Sequence, residues 1–141
     1  MPERPFVLLG QQYLIDATRS RGAVHPVYAY AHVPHAFAGD ATDAIIGQIE
    51  RFAPGFRERI VAVSTRDPAA LEAYNANYVG GDISAGANTA QQIAFRPRVA
   101  MSPDTLGVPG VYLSSSATPP GAGVHGMGGF HAAQAALARL A

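Results

Sequence analysis

The feature that most constrains this chain is a long stretch without a regular pattern, between Asn75 and Pro109. Glycine and proline recur through this stretch, at Gly80, Gly81, Gly86, Pro97, Pro103 and Gly107. Glycine permits backbone conformations that weaken helices and strands, and proline removes a backbone donor. So long a stretch without secondary structure is uncommon in a compact domain unless it has a function or packs on a partner. Regular structure is therefore expected mainly on either side of it.

Before that stretch, apolar spacing predicts two strands, a helix, a third strand and a second helix. The first two strands, Phe6–Leu9 and Val24–Val33, are expected to pair antiparallel. Asp40–Phe52 has isoleucines at helical spacing and acidic residues near its start, which favours a helix. Ile60–Ser64 is rich in β-branched residues and predicts the third strand. Pro68–Tyr74 predicts a helix with proline in its first turn.

After that stretch, the C-terminal part of the chain has a clearer pattern of secondary structure. Val111–Leu113 predicts a strand, Ser114–His125 a loop rich in glycine and proline, and Gly126–Leu140 a helix. Gln91–Phe95 predicts one helical turn within the irregular region. The expected fold class is α+β, with a small antiparallel sheet covered by helices and a C-terminal strand, Gly-rich loop and helix.

Composition argues against several classes of function. Ten basic and ten acidic residues leave no net charge, so the basic surface typical of proteins that bind nucleic acid or anionic membranes is not expected. The chain has no cysteine, which excludes disulfides, thiolate nucleophiles and cysteine-ligated metal centres. No apolar run is long enough to span a bilayer, and the N-terminus lacks the layout of a signal peptide. We therefore expect a cytoplasmic location and no transmembrane segment.

A glycine-rich segment, Gly121–Gly129, lies between the predicted strand and the last predicted helix. Glycines let a ligand approach the backbone, and the first N–H groups of a helix are free to donate to it. The helix dipole favours negative charge there by about 0.3–1 kcal/mol. Ordinary loops before helices also use glycine, so the segment alone leaves a ligand site and a plain helix cap both open.

The segment Gly110–Met127 closely resembles the C-terminal signature of phytoene-dehydrogenase-like flavoproteins, within the amine-oxidase-type FAD superfamily. Other segments of this chain resemble the same family in the same order: Pro5–Gln12, Tyr30–Pro34, Ala53–Phe56, Gly80–Ile83 and Phe95–Pro97. The resemblance covers essentially the whole chain. It departs from the family at Ala122, where a further glycine is frequent, and at Ser114-Ser115, where a cysteine is frequent. None of these side chains is large enough to block a flavin.

The resemblance implies two parts, with residues 1–109 as the end of a substrate-binding domain and residues 110–141 completing an FAD-binding domain. It implies a set of cofactor-binding residues: Thr118, Pro119, Gly121, Gly123, Val124, His125, Gly126 and Met127. It also implies a set of residues bordering the substrate channel: Gly80, Gly81, Asp82 and Arg96. No catalytic residue is assigned, because the flavin itself takes the hydride in such enzymes. No metal ligand is expected.

The dinucleotide-binding fingerprint that holds the ADP half of FAD is missing. Gly121, Gly123 and Gly126 imitate its spacing, but no βαβ unit and no acidic residue for the ribose follow them. We therefore expect an N-terminal FAD domain as a partner. The chain by itself is expected to bind FAD weakly or not at all.

Other candidate sites are weaker. His25, His32 and His35 could suggest a metal site, but no third hard ligand lies nearby in the sequence. The serines before Ala117 lack the Gly-x-Ser-x-Gly elbow of hydrolases. Arg96 could face a cofactor phosphate or pair with Asp82 or Asp104.

The expected function is that of a C-terminal fragment of an FAD-dependent oxidoreductase. In the full-length protein it would help enclose the flavin and an apolar substrate, such as a carotenoid-like polyene, for hydride removal. The chain alone is expected to be inactive and to form homo-oligomers through its exposed apolar face. The alternative is a self-associating module without enzymatic activity, or one subunit of a split flavoprotein.

Overall fold

The computed structural model describes residues 1–140. Its sheet is an antiparallel pair of strands, β1 (Val7–Gly10) and β2 (Tyr28–Ala31), in which Val7 pairs with Ala31 and Gly10 with Tyr28. The connection between them contains short 3-10 helices at Gln12–Leu14 and Ala17–Arg19. The predicted antiparallel hairpin is confirmed.

Helix α1 (Thr42–Glu50) packs against both strands and confirms the predicted helix. Before it, the Asp40 carboxylate accepts a hydrogen bond from the Thr42 amide at 2.8 Å. At its other end, Glu50 accepts hydrogen bonds from the amides of Arg57 at 2.7 Å and Gly55 at 2.6 Å. The bond from the Arg57 amide is the main cause that lowers the pKa of Glu50. Asp40 thus pairs an amide at the helix start that has no acceptor inside the helix, whereas Glu50 stabilises the turn that follows the helix.

The prediction of a third strand at Ile60–Ser64 is wrong. A 3-10 helix at Arg57–Arg59 precedes it, and the segment itself belongs to no strand. Val61 is 79% exposed and Val63 is 55% exposed. Within residues 1–140, the backbone groups from Val61 to Arg66 make no hydrogen bond to other backbone groups. A β-branched sequence favours a strand only where a neighbouring strand supplies hydrogen bonds and packing, and the described chain offers none here.

Helix α2 (Pro68–Tyr74) begins and ends where the sequence predicts. Asp67 caps it by accepting the Ala70 amide at 2.7 Å, and Pro68 occupies the first turn. Both features are favourable at a helix start, because the amides there have no partner inside the helix. A 3-10 helix at Val79–Gly81 packs against α2.

Two further helices follow. Helix α3 (Ala90–Phe95), capped by Thr89, confirms the predicted helical turn. Helix α4 (Met127–Leu140) confirms the predicted C-terminal helix. The strand predicted at Val111–Leu113 is reduced to a single antiparallel bridge between Thr105 and Tyr112.

These elements form the expected α+β class, but they enclose little core. The chain exposes 10229 Å², whereas a folded monomer of this mass is expected to expose about 7,000 Å². Among residues 1–140, Ala132 is the one hydrophobic residue other than proline that is buried, at 7% exposure. None of the helices described is long and apolar enough to cross a membrane. The chain therefore presents an unusually large surface for its size, with many large hydrophobic side chains exposed on it.

Candidate functional site

Arg96 lies at the centre of the candidate site. It follows α3 directly, and its side chain is almost fully buried at 3% exposure. Its guanidinium donates to backbone carbonyls and one side-chain amide: Gln92 O (3.2 Å), Ser84 O (3.2 Å), Ser116 O (3.3 Å), Ala87 O (3.5 Å) and Asn88 Oδ1 (3.4 Å). One side chain thus joins the loop around Ser84 to the loop around Ser116.

Two glycines flank this guanidinium. A Cβ added to Gly121 would lie 3.1 Å from Arg96 Nη2, and one added to Gly86 would lie 3.8 Å from Nη1. Both glycines have positive φ, +99° at Gly121 and +130° at Gly86. L-residues with side chains rarely adopt such values. The two glycines therefore allow the backbone to close around the arginine.

The sequence suggests Asp82 or Asp104 as an ion-pair partner of Arg96, and the structure shows neither pair among the residues that it describes. The ion pairs among residues 1–140 join Arg19 to Asp16 and Arg57 to Asp43, so neither Asp82 nor Asp104 forms an ion pair with Arg96. A buried guanidinium needs its donors satisfied, and here carbonyl oxygens satisfy them. Sequence patterns do not indicate such partners, because every residue carries a carbonyl.

Asp82 organises the loop that leads to Arg96. Its carboxylate accepts hydrogen bonds from the Ser84 amide at 2.7 Å, the Ser84 hydroxyl at 2.6 Å and the Gly86 amide at 2.7 Å. Partial burial raises the pKa of Asp82, but these hydrogen bonds and the charge of Arg96 outweigh it, so the pKa lies below its ordinary value of 3.8. The ionised carboxylate is therefore the form that the folded loop favours.

Replacing Asp82 by asparagine is expected to weaken the acid dependence of stability. Because the pKa of Asp82 is lowered in the folded state, its stabilisation is present above about pH 4 and is lost as the pH falls through the folded-state pKa. The Asp82→Asn variant should be less stable than the wild type at neutral pH, and the difference should shrink in acid. Urea unfolding from neutral pH down to about pH 2 measures this. Parallel pH curves would contradict the assignment.

The Gly80-Gly81 pair fits between two rigid side chains. A Cβ on Gly80 would overlap the His35 imidazole, and one on Gly81 would lie 2.5 Å from Cβ of Pro68. The Ala36 amide also donates to the Gly80 carbonyl at 3.0 Å. These two glycines therefore have a packing role that the sequence did not reveal, because His35 and Pro68 are distant along the chain.

The glycine-rich loop has a buried and an exposed part. Thr118 is fully buried, and its hydroxyl donates to the Ser115 carbonyl at 2.8 Å. Gly121 is also buried, and its amide donates to the Thr118 carbonyl at 2.9 Å. The next residues that were predicted to bind a cofactor are exposed to solvent: Gly123, Val124, His125 and Gly126. Thr118 and Gly121 thus support the loop from behind, whereas its exposed part is open to a ligand.

His125 shapes the start of α4. Its Nδ1 accepts a hydrogen bond from the Met127 amide at 3.0 Å. Its ring lies against Gly123, where an added Cβ would be 2.6 Å from Cδ2. His125 therefore acts as a cap at the start of α4, and its side chain lies at the surface of the loop.

The exposed part of the loop carries a run of amides without protein partners. Within the described chain, no hydrogen bond is donated by the backbone amides at positions 122–126, 128 and 129. Gly128 lets this helix start lie close to the preceding loop, since a Cβ there would be 2.9 Å from the Ser115 carbonyl oxygen. Amides without acceptors at and just before a helix start form a surface suited to a ligand rich in acceptor oxygens.

The histidines outside this loop have separate surroundings. His25 stacks on Tyr13 with ring centroids 4.5 Å apart and is hydrogen-bonded to Ser20 at 2.8 Å. His32 lies beside Phe6 and Tyr30. Among residues 1–140, no three side chains of the metal-ligating types gather in one place.

Two curated proteins are similar to this chain, the pyridine nucleotide-disulfide oxidoreductase domain-containing protein 2 of Mus musculus and its namesake of Rattus norvegicus. Each is 30% identical over 143 aligned positions, which cover 93% of this chain and 24% of the relative. The chain therefore spans about a quarter of the length of these relatives.

No family model matches the chain, and no solved structure matches it. The narrower phytoene-dehydrogenase-like character that the sequence motifs suggest therefore stays a prediction.

Proposed function

We propose that this chain is the C-terminal portion of an FAD-dependent oxidoreductase of the phytoene-dehydrogenase-like type. The observation that carries the proposal is the loop before α4, in which the amides at positions 122–126, 128 and 129 have no protein acceptor within the described chain. The similarity to the oxidoreductase domain-containing proteins over 93% of this chain supports it. In this proposal residues 110–141 complete the flavin domain, and residues 1–109 end the substrate domain.

The residues of the loop fit a flavin dinucleotide in chemistry. Gly123, Val124, His125 and Gly126 would lie against it, because their amides have no acceptor within the described chain and glycine lets a ligand approach closely. Met127 would lie beside them at the helix start. Thr118 and Gly121 are buried, so they would hold the loop's shape. The bound flavin would supply the hydride acceptor, while the chain would position it and exclude water.

The large exposed surface supports a partner that covers it. The relatives are about four times as long as the matched segment. We propose that an N-terminal FAD domain, with the fingerprint that this chain lacks, lies in polypeptide outside these 141 residues. The absence of cysteine is compatible with the cytoplasmic location expected for such a protein.

An apolar groove supports an apolar substrate. It lies between the hairpin and α1 and has a volume of about 340 Å³. Its walls are formed mainly by apolar side chains: Phe6, Val7, Leu9, Ile49, Phe52 and Ala53. Grooves of this kind bind apolar molecules by removing their surface from water.

The proposal can be tested in a chimera in which this chain replaces the matched segment of the mouse relative. We expect the chimera to retain FAD, and we expect Gly126→Val to weaken retention about tenfold or more, since a β-branched residue at its φ of +65° forces the loop to change. Flavin absorbance of the purified protein and its loss on dilution measure this.

Gly107→Val is the matched control, because Gly107 also has positive φ, +78°, and no heavy atom within 4 Å of an added Cβ. It lies outside the proposed site and should leave the flavin content unchanged. Equal flavin content in wild type and Gly126→Val would refute the site assignment.

A second candidate is a self-associating module or a subunit of a split flavoprotein. The exposed area of 10229 Å² favours it, since another chain could cover this surface as well as a covalently linked domain. The purified chain without added FAD distinguishes these cases: a stable oligomer that ignores FAD favours the module, and saturable FAD binding with a second chain favours the split enzyme.

A further inference from the structure

We infer that Arg96 is a positioning residue that couples the Ser84–Asn88 loop to the glycine-rich loop, so that neither loop keeps its shape without the other. The coupling itself follows from the contacts of Arg96. Only its consequence for the cofactor rests on the proposed function. Arg96 then supports the proposed flavin site from within the protein, whereas the family resemblance implies that it borders a substrate channel.

The hydrogen bonds of Arg96 leave no donor for a ligand. A guanidinium has five N–H donors. Nε donates to Gln92 O, Nη1 to the carbonyls of Ser84 and Ser116, and Nη2 to Ala87 O and Asn88 Oδ1. With every donor engaged inside the protein, Arg96 acts on a ligand only through the loops that it holds.

These contacts also explain why the residue is arginine. The Nη1 atom bridges two carbonyls, and the one of Ser116 is 20 residues away in sequence. A lysine has three donors on a single nitrogen and lacks the planar fork that reaches both sides. Removing the guanidinium would leave the carbonyls of Ser84 and Ser116, both in half-buried residues, without this donor, which is unfavourable in both loops at once.

The glycine-rich loop is shaped around the same group. Gly121 packs on the guanidinium, and three residues before it the buried Thr118 ties the turn to Ser115. The exposed amides at positions 122–126 follow directly. A change at Arg96 should therefore reach these amides, although its side chain is buried behind them.

The test uses the 141-residue chain and compares Arg96→Met and Arg96→Lys with wild type and with Arg59→Met. Arg59 is exposed and makes no side-chain hydrogen bond or ion pair within the described residues. Hydrogen–deuterium exchange is followed in peptides covering 82–88, 115–121 and α1. We expect both loops to exchange at least about tenfold faster in Arg96→Met and Arg96→Lys, with α1 and the Arg59→Met control unchanged.

A second variant keeps the test decisive if Arg96→Met unfolds the chain. In Arg96→Ala, dilute guanidinium ion should occupy the vacated space and restore protection in both loops, whereas sodium ion at the same concentration should not. Faster exchange in one loop only, full protection in Arg96→Lys, or no rescue by guanidinium would overturn the coupling.

Flavin retention in the chimera separates this inference from the proposed function. Loss of flavin in Arg96→Met, with retention in Arg59→Met, would support both. Coupled exchange of the two loops with unchanged flavin would overturn the proposed flavin site and leave the coupling standing. Independent exchange would overturn the coupling whatever the flavin does.

Discussion

Replacing Gly81 by alanine is expected to lower the free energy of unfolding by about 2–5 kcal/mol. The φ of Gly81 is +82°, which a side chain makes unfavourable, and the new Cβ would lie 2.5 Å from Cβ and 2.6 Å from Cα of Pro68. Pro68 is buried in the first turn of α2, so it cannot rotate away. The 3-10 helix at Val79–Gly81 would have to separate from α2. Urea unfolding at neutral pH measures the loss.

Gly55→Ala is the matched control for this prediction. Gly55 has nearly the same φ, +83°, but no heavy atom lies within 4 Å of an added Cβ. Its loss should therefore be limited to the backbone term, about 1–2 kcal/mol. Equal losses in the two variants would show that the clash of the new Cβ with Pro68 adds nothing to the destabilisation.

The purified chain without a partner is expected to self-associate, with a solution mass well above its 14.7 kDa. It exposes about 3,000 Å² more than a compact monomer of this size. Burial of this excess on both chains of a dimer would total about 6,000 Å², at the upper end of obligate interfaces. On α4, Phe130, Leu137 and Leu140 are 54%, 59% and 84% exposed. Burying such surface is worth about 25 cal/mol per Å², and a net charge of zero opposes association little.

Light scattering across a range of concentrations measures this association, and charged variants locate the interface. Leu137→Lys should shift the chain toward monomer. Ile15→Lys, which changes a 95% exposed residue in the connection between the strands, should leave the association unchanged. A well-ordered monomer at all concentrations would contradict the prediction, and equal effects of the two variants would place the interface elsewhere.

The elements predicted correctly from sequence are those with local signals. Helix α2 has an aspartate cap and a proline in its first turn, and both act within one turn of the chain. Helix α1 repeats its isoleucines at helical spacing. By contrast, Ile60–Ser64 has the composition of a strand but no partner strand within the described residues. Its valines stay exposed, because β propensity alone does not form a strand.

The candidate site also has a part that local sequence signals predict and a part that they do not. The glycine-rich loop before α4 was predicted because glycine, a turn and a helix start are adjacent in sequence. The role of Arg96 is not predictable in this way, because its acceptors include the main-chain carbonyls of Ser84 and Ser116, which are far apart in sequence. The packing of Gly80 on His35 was missed for a related reason, since no local pattern records what a glycine lies against.

By itself, the sequence determined the fold class, the helices and the place of the glycine-rich loop, because caps, periodicity and glycine act over a few neighbouring residues. Only the tertiary structure decided which of the predicted residues are exposed and which are supports. It placed Thr118 and Gly121 in the interior with Arg96 and left the amides from position 122 onward open. Burial and hydrogen-bond partners depend on segments far apart in the chain, and only folding brings those together.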